Sequence, residues 1–332
     1  MTTNLSTKVS KFRMIPLIKI CAIFFALLFI ITTYHFARER LQSQPVSWSP
    51  QWNVGDTYSV ELVKDVTHTH KDKTTTYKSC TPINITVLEK NSASYTINWI
   101  RGKSDIRGVP QYPITLGLEN ISEGILMEVV TDISGVPQDL KNIDDVCRKI
   151  KIAADKLEKS LTNNSHPELS DTTVRLLLEK FKNNDAIKQH LLYELRQFFY
   201  YSSGNHIIGK AEKGTGTLPN PLQGPPLPCW YSTTLKQHGE SAQYVSMETQ
   251  LVVDKEKASE IIFKTINKSS QTKKSLPEDQ ALPLIDISET TSCLIDTTKG
   301  WPIKLEISKI KKIGSAIDSI QTTFTTNSKG SD

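Results

Sequence analysis

Residues 83–99 read INITVLEKNSASYTINW. Apolar side chains recur at every second position, first Ile83, Ile85 and Val87 and then Tyr95, Ile97 and Trp99, on either side of the polar break at 90–92. In a strand, successive side chains point to opposite faces, so this spacing predicts two half-buried strands joined by a tight connection. Working outward, Tyr58, Val60 and Leu62 repeat the pattern on one side, and Ile125, Met127 and Val129 repeat it on the other. The breaks at 70–73 and 102–105 are as short and polar as the one at 90–92, which suits antiparallel neighbours better than strand–helix–strand crossovers. A meander is the simplest topology.

The period changes near 132–137. From there Leu140, Ile143, Cys147, Ile150, Ala154, Leu157 and Leu161 step by three and four, the apolar stripe of a helix packed on its own domain. Ser170 or Asp171 caps a second helical stretch carrying Val174, Leu177, Leu178 and Phe181. Asn183, Asn184 and Asp185 precede a third, with Ile187, Leu191, Leu195 and Phe198. Beyond the glycines at 204, 209, 214 and 216, alternation returns through 230–235, 244–253, 261–266, 285–295, 303–307 and 317–324, enough for five to seven further strands. The fold class expected is α+β, mainly antiparallel β as a meander, curved sheet or half-barrel, with a helical block inserted between the two β halves after an N-terminal transmembrane helix. The expected divisions are a cytoplasmic tail 1–13, an anchor 14–36, a tether 37–50, a first β half 51–136, a helical insertion 137–202, a second β half 203–325 and a loose tail 326–332.

The anchor rests on composition. Residues 20–36 carry no charge, follow a leader holding Lys8, Lys11, Arg13 and Lys19, and are closed by Arg38, Glu39 and Arg40. Seventeen helical residues reach roughly 25 Å, and residues 14–18 extend that towards the ~30 Å of a hydrocarbon core. The excess of cations before the apolar run predicts a cytoplasmic N-terminus and an extracytoplasmic bulk. No small-residue pair in this stretch makes a signal-peptidase site, so the anchor is expected to stay uncleaved.

Of the 40 basic and 35 acidic residues, six and one lie within 1–40, which leaves 34 of each in the remainder. That neutral balance removes the long-range field that draws in nucleic acid. Four cysteines remain outside the anchor, Cys80, Cys147, Cys229 and Cys293. In an oxidising compartment they suggest two disulfides with three open pairings, against separate buried thiols, of which Cys147 is the foremost candidate. His68, His70 and Asp72 would share one strand face and form the best metal candidate, although the lysines and threonines around them suit a solvated hairpin end. Nucleophile elbows, HExxH, phosphate loops and dinucleotide motifs are absent from the sequence, so no catalytic or cofactor-binding residue is nominated and no cofactor is expected.

Several turn-forming segments together carry a resemblance. Trp52, Gly55, Asp56 and Tyr58, then Thr131, Asp132 and Gly135, then LPNPLQGPPLP at 218–228, and Asp296, Gly300 and Pro302 resemble a loose group of uncharacterised bacterial cell-envelope proteins that are β-rich. The resemblance implies a β-rich fold and, together with the single-pass anchor, a place in the bacterial inner membrane with the bulk in the periplasm, and it brings no activity. The function expected is a membrane-anchored, periplasmic, non-catalytic binding or scaffold protein for a lipid-like ligand or an envelope partner. The alternative is a single-pass type II lumenal enzyme of the secretory pathway, glycosylated at Asn84, Asn120, Asn163 and Asn267.

Overall fold

The computed structural model describes residues 45–71, 73–108, 114–163, 178–179, 181–218, 220, 224–238, 243–269 and 285–327. The anchor at 14–36, the tether up to residue 44, the start of the second helical stretch at 170–177, Asp72 and residues 328–332 lie outside them. Among the described residues no helix is long and apolar enough to cross a membrane.

Two strand-rich stretches build one antiparallel sheet. The first contributes β2 (Thr57–His70), β3 (Lys73–Lys90), β4 (Ser94–Arg101), β5 (Asp105–Gly108), β6 (Leu126–Asp132) and β7 (Pro137–Leu140). The second contributes β9 (Ala211–Leu218), β10 (Leu227–Gln237), β11 (Tyr244–Val253), β12 (Ile285–Asp296), β13 (Trp301–Ile313) and β14 (Ala316–Asn327). Their order is β7-β6-β4-β3-β2-β14-β13-β12-β11-β10-β9, with β5 on β3, in a 12-stranded sheet of the described residues. With 56% strand and a few helices the chain is α+β and mainly antiparallel β. The halves join where β2 pairs with β14, Leu62 opposite Phe324.

Register follows the alternation. Tyr58 lies opposite Ile85 and Val60 opposite Ile83, while Ile85 faces Trp99 and Val87 faces Ile97. Each pair therefore delivers its apolar side chains to the same sheet face, and a slip of one residue would turn them all to water. The β12–β13 hairpin turns at Gly300, whose φ of +59° suits glycine. A Cβ there would come within 2.5 Å of the Ser202 oxygen and 2.6 Å of the Ser49 oxygen. Three segments thus meet where only a hydrogen fits.

Helices α1 (Ile114–Glu119), α2 (Ile143–Asn163) and α3 (Asn184–Phe199) cover this face, and α4 (Lys255–Ser269) lies further along the sheet. The turn before α3 is fixed by Asn183, whose side-chain oxygen accepts from the backbone N–H groups of Asp185 and Ala186. Under α2 and α3 the core is aromatic: Trp52 is fully buried and lies 4.8 Å from Tyr95, 5.6 Å from Phe199 and 5.3 Å from Trp301 between ring centroids. Tyr58 stacks on Trp301 at 3.8 Å, and Trp99 meets Phe198 edge-on at 5.7 Å.

Three expectations differ from what is found. Leu140, assigned to the first helix, ends β7, because the chain pairs with β6 for one more short strand before α2 starts. Residues 261–266, assigned to a strand, lie in α4, where Ala258 and Ile262, four apart, are fully buried. Asp254 starts that helix by accepting from the Lys257 N–H at 3.2 Å, and this cap together with the four-residue step outweighs the strand preference of Ile261 and Ile262. At the end of the tether, β1 (Pro45–Trp48) pairs with β8 (Gly204–Ile207) in a small two-stranded sheet. Trp48 is buried there and donates its indole N–H to the Tyr201 carbonyl at 2.9 Å.

Candidate functional site

Between α3 and α4 the sheet is left partly uncovered, and a cleft of about 410 Å³ opens. Its cause lies in the strands. The cross-strand row that runs Thr233 opposite Thr249, Thr249 opposite Thr291 and Thr291 opposite Ile307 sits in the floor. The neighbouring row brings Gly216 opposite Cys229. These short side chains stand where, a few strands away, the same face carries Trp99 and Phe324, so the backbone continues while volume is lost.

One wall is the outward side of α3 and the turn after it, with Tyr193, Arg196, Gln197, Tyr200 and Tyr201. The opposite wall, Cys229 and Leu251, belongs to a second small core in which Leu218, Leu227, Val253, Ile285 and Ile287 pack on Ala258 and Ile262 of α4. Tyr231 closes one end, its ring lying over Gly214 so closely that a Cβ at 214 would be 2.5 Å from the phenol oxygen. A Cβ at Gly216 would meet only ordinary contact, 3.5 Å from the Cys229 sulfur.

The polar groups of the cleft are mostly engaged with one another. Thr233 and Thr249 hydroxyls lie 3.0 Å apart, and Gln197 donates to the Tyr193 hydroxyl at 3.1 Å. Arg196 donates through Nε to the Pro137 carbonyl at 3.1 Å. Burial pushes the phenols of Tyr193 and Tyr201 above their ordinary range, so both stay neutral donors. Glu289, 15% exposed in its side chain, is approached by Lys309 Nζ at 3.3 Å from Oε2. That oxygen nevertheless has no hydrogen-bond donor; its charge is balanced while its lone pairs are not. The surface offered is therefore apolar and aromatic with one carboxylate, from Glu289, and one guanidinium, from Arg196.

The residues nominated from sequence do not converge here. His68 on β2 pairs through Nδ1 with Asp318 on β14, His70 is exposed at the strand end, and Asp72 is outside the described residues. Among the described residues no group of three or more His, Cys, Asp or Glu side chains is placed to hold a metal ion. Cys80, Cys147, Cys229 and Cys293 are free thiols on β3, α2, β10 and β12, so the two suggested bridges are not formed in this structure. Cys80 donates to the Glu61 carboxylate at 2.7 Å, and this bond, with burial, pushes its thiol up to about 11. Burial raises the other three. A thiol needs the opposite shift to act as a nucleophile near neutral pH. Of the four sequons, Asn84 is exposed on β3, and the Asn120 side-chain oxygen accepts from the Ser104 N–H at 2.8 Å. The side chains of Asn163 and Asn267 lie outside the described residues.

The cleft residues went unnominated because their role depends on register. Thr233, Thr249 and Thr291 are separated by 16 and 42 positions in sequence, and only strand pairing brings them into one row. A usable signal is that each falls on the apolar phase of its strand: Thr233 lies two before Leu235, Thr249 two after Met247 and Thr291 two before Cys293.

No family model and no curated protein matches the chain. Among solved structures, one of lipovitellin, described by its lipid–protein interactions, overlaps 85% of this chain at 8% identity with a TM-score of 0.36; the chain spans about a quarter of that protein, 26%. A DUF1329 family protein from Desulfovibrio piger overlaps 84% of this chain and 89% of its own at 9% identity, with a TM-score of 0.14. Similarity at that level identifies neither a family nor an activity, and the architecture rests on the chain's own strand pairing.

Proposed function

We propose that the chain is a membrane-tethered, non-catalytic binding module of the bacterial envelope, and that the cleft between α3 and α4 receives the apolar part of a lipid-like ligand. The observation that carries this reading is the cleft's construction: a floor of small side chains, walls of tyrosine, leucine and cysteine, and a volume within the roughly 300–1,000 Å³ of sites that hold small organic ligands. Sugars and other polyhydroxyl ligands fit less well, because the Thr233, Thr249 and Tyr193 hydroxyls already have partners within the wall. The uncharged run at 20–36 behind a basic leader supports a periplasmic position close to the lipid that such a site would sample.

Native mass spectrometry of the full-length protein released from detergent micelles tests it. The expected result is a lipid-mass adduct that survives release in the wild type and is lost in Gly216→Leu, whose new side chain would occupy the cleft. An adduct unchanged in Gly216→Leu would assign the lipid to the anchor, and no adduct at all would leave a scaffold; either result overturns the binding reading.

A further inference from the structure

The cleft between α3 and α4 has a rim that differs from its interior. Tyr193, Arg196 and Tyr200 are spaced by three and four residues and form one stripe along α3 and its C-cap. All three line the cleft and all three are exposed, whereas Tyr201, Cys229, Thr233 and Thr291 line it and are buried. The exposed stripe is therefore the opening. Arg196 is held there from one side. Its Nε donates to the Pro137 carbonyl at 3.1 Å, and among the described residues Nη1 and Nη2 have no hydrogen-bond or ion-pair partner. The edge those two nitrogens form is open to water or a guest, and it can take a carboxylate through two parallel hydrogen bonds.

Charge decides which guest fits. Among the described residues, the basic, histidine and acidic side chains that line the cleft are Arg196 and Glu289 alone. Glu289 is answered by Lys309 Nζ at 3.3 Å. Just beyond the lining, Glu212 lies opposite Thr233 on the neighbouring strand; it is 3.1 Å from His206 Nδ1 and 45% exposed, so water screens it. One cation at the rim is left uncancelled. A guest with a single negative charge at one end cancels it, a neutral alcohol leaves it, and a phosphate monoester, at about −1.5 to −2 near pH 7, overshoots it. The volume of about 410 Å³ stands towards the lower end of the roughly 300–1,000 Å³ of small-ligand sites, which suits one acyl chain better than two.

We infer that the guest is a long-chain fatty acid, its carboxylate on the Nη1–Nη2 edge of Arg196 at the rim and its chain laid inward over the threonine row. This assignment rests on the cleft being a lipid site, and it adds the class of lipid and the residue that selects it.

The test incubates the full-length protein in amphipol with an equimolar mixture of palmitic acid and 1-hexadecanol, which share a chain length and differ in the head, and measures by mass spectrometry the lipid retained after gel filtration. Gly216→Leu supplies the background held by the anchor. Above that background the wild type should retain palmitate over hexadecanol by at least about tenfold, and Arg196→Gln should retain the two within about twofold of each other. Should Arg196→Gln fail to fold by near-UV circular dichroism, Arg196→Lys, which keeps the charge and loses the fork, should lower the preference by at least about threefold. Equal retention in the wild type, or a preference undiminished in the folded Arg196 variant, would overturn the fatty-acid assignment and leave the lipid site standing. No lipid above the Gly216→Leu background would remove the lipid site and the assignment with it.

Discussion

Under α3 the sheet presents Trp99, Ile97 and Trp301, none more than 2% exposed, and the space between layers is filled. A few strands further on, the same face presents Gly216, Thr233, Thr249 and Thr291, and a cleft stands open. Strand pairing is continuous across both regions, so the backbone does not account for the difference. Side-chain volume does. Where the row is aromatic, each ring removes a large apolar area from water and locks its neighbours; where it is threonine and glycine, neither helix reaches the floor. One half of the face is therefore specialised for stability and the other is available for a guest.

The sharpest way to break that contrast is to empty the filled half. Trp301→Ala removes a ring in contact with Tyr58, Trp52, Phe198 and Phe199, and should cost about 3–5 kcal/mol in guanidinium unfolding. A loss under about 1 kcal/mol would show that this half is no better packed than the cleft. Gly300→Ala comes next. Its positive φ and the backbone oxygens of Ser202 and Ser49 leave no room for a methyl group, and strain plus overpacking predict a cost on the order of 2–4 kcal/mol by the same measurement.

Alkaline titration probes the filled half from another side. Burial, reinforced by the charges of Asp56 and Asp296, pushes the Tyr58 phenol up to about 12. The folded state thus holds a neutral phenol that the unfolded chain would ionise near 10. Its contribution is fully present below pH 10 and is lost as pH rises through 12, because in that window only the unfolded state releases the proton. Stability should fall across the window by an amount on the order of 1–2 kcal/mol from this group. Tyr58→Phe should flatten that part of the slope while leaving the contributions of Tyr77 and Tyr201, whose phenols are also raised. An unchanged slope in Tyr58→Phe would mean the ring is wetter than its 7% exposure indicates.

These two regions were unequally legible in the sequence. The filled half announces itself, since Ile83, Ile85, Val87 and Tyr95, Ile97, Trp99 give both the strands and the face they bury. The stripe from Cys147 to Leu161 likewise marks α2. Residues 261–266 were misleading because β-branched side chains favour strands locally, while the burial of Ala258 and Ile262 against Val253 and Ile285 is a tertiary effect. The cleft was hidden for a related reason. A threonine on the apolar phase of a strand reads as a weaker core residue, and only the pairing of β10, β11 and β12 shows three of them side by side.

The smallest effect expected separates two neighbouring glycines of β9. Glycine in a strand interior is less stable than alanine by roughly 0.5–1 kcal/mol, chiefly through the entropy of the unfolded chain. At Gly216 a methyl group meets the Cys229 sulfur at 3.5 Å and the edge of the Tyr231 ring at 3.9 Å, both ordinary contacts that displace nothing, so Gly216→Ala should recover up to that amount. At Gly214 the same methyl would stand 2.5–2.8 Å from the Tyr231 ring, and the ring must swing away before the gain is realised. Because Tyr231 closes the end of the cleft, Gly214→Ala should show little net stabilisation and a changed tyrosine signal in near-UV circular dichroism. Gly216→Ala should show the reverse. Equal stabilisation with no spectral change in either variant would mean that Tyr231 does not rest on β9, and that the open half of the face extends to the sheet edge.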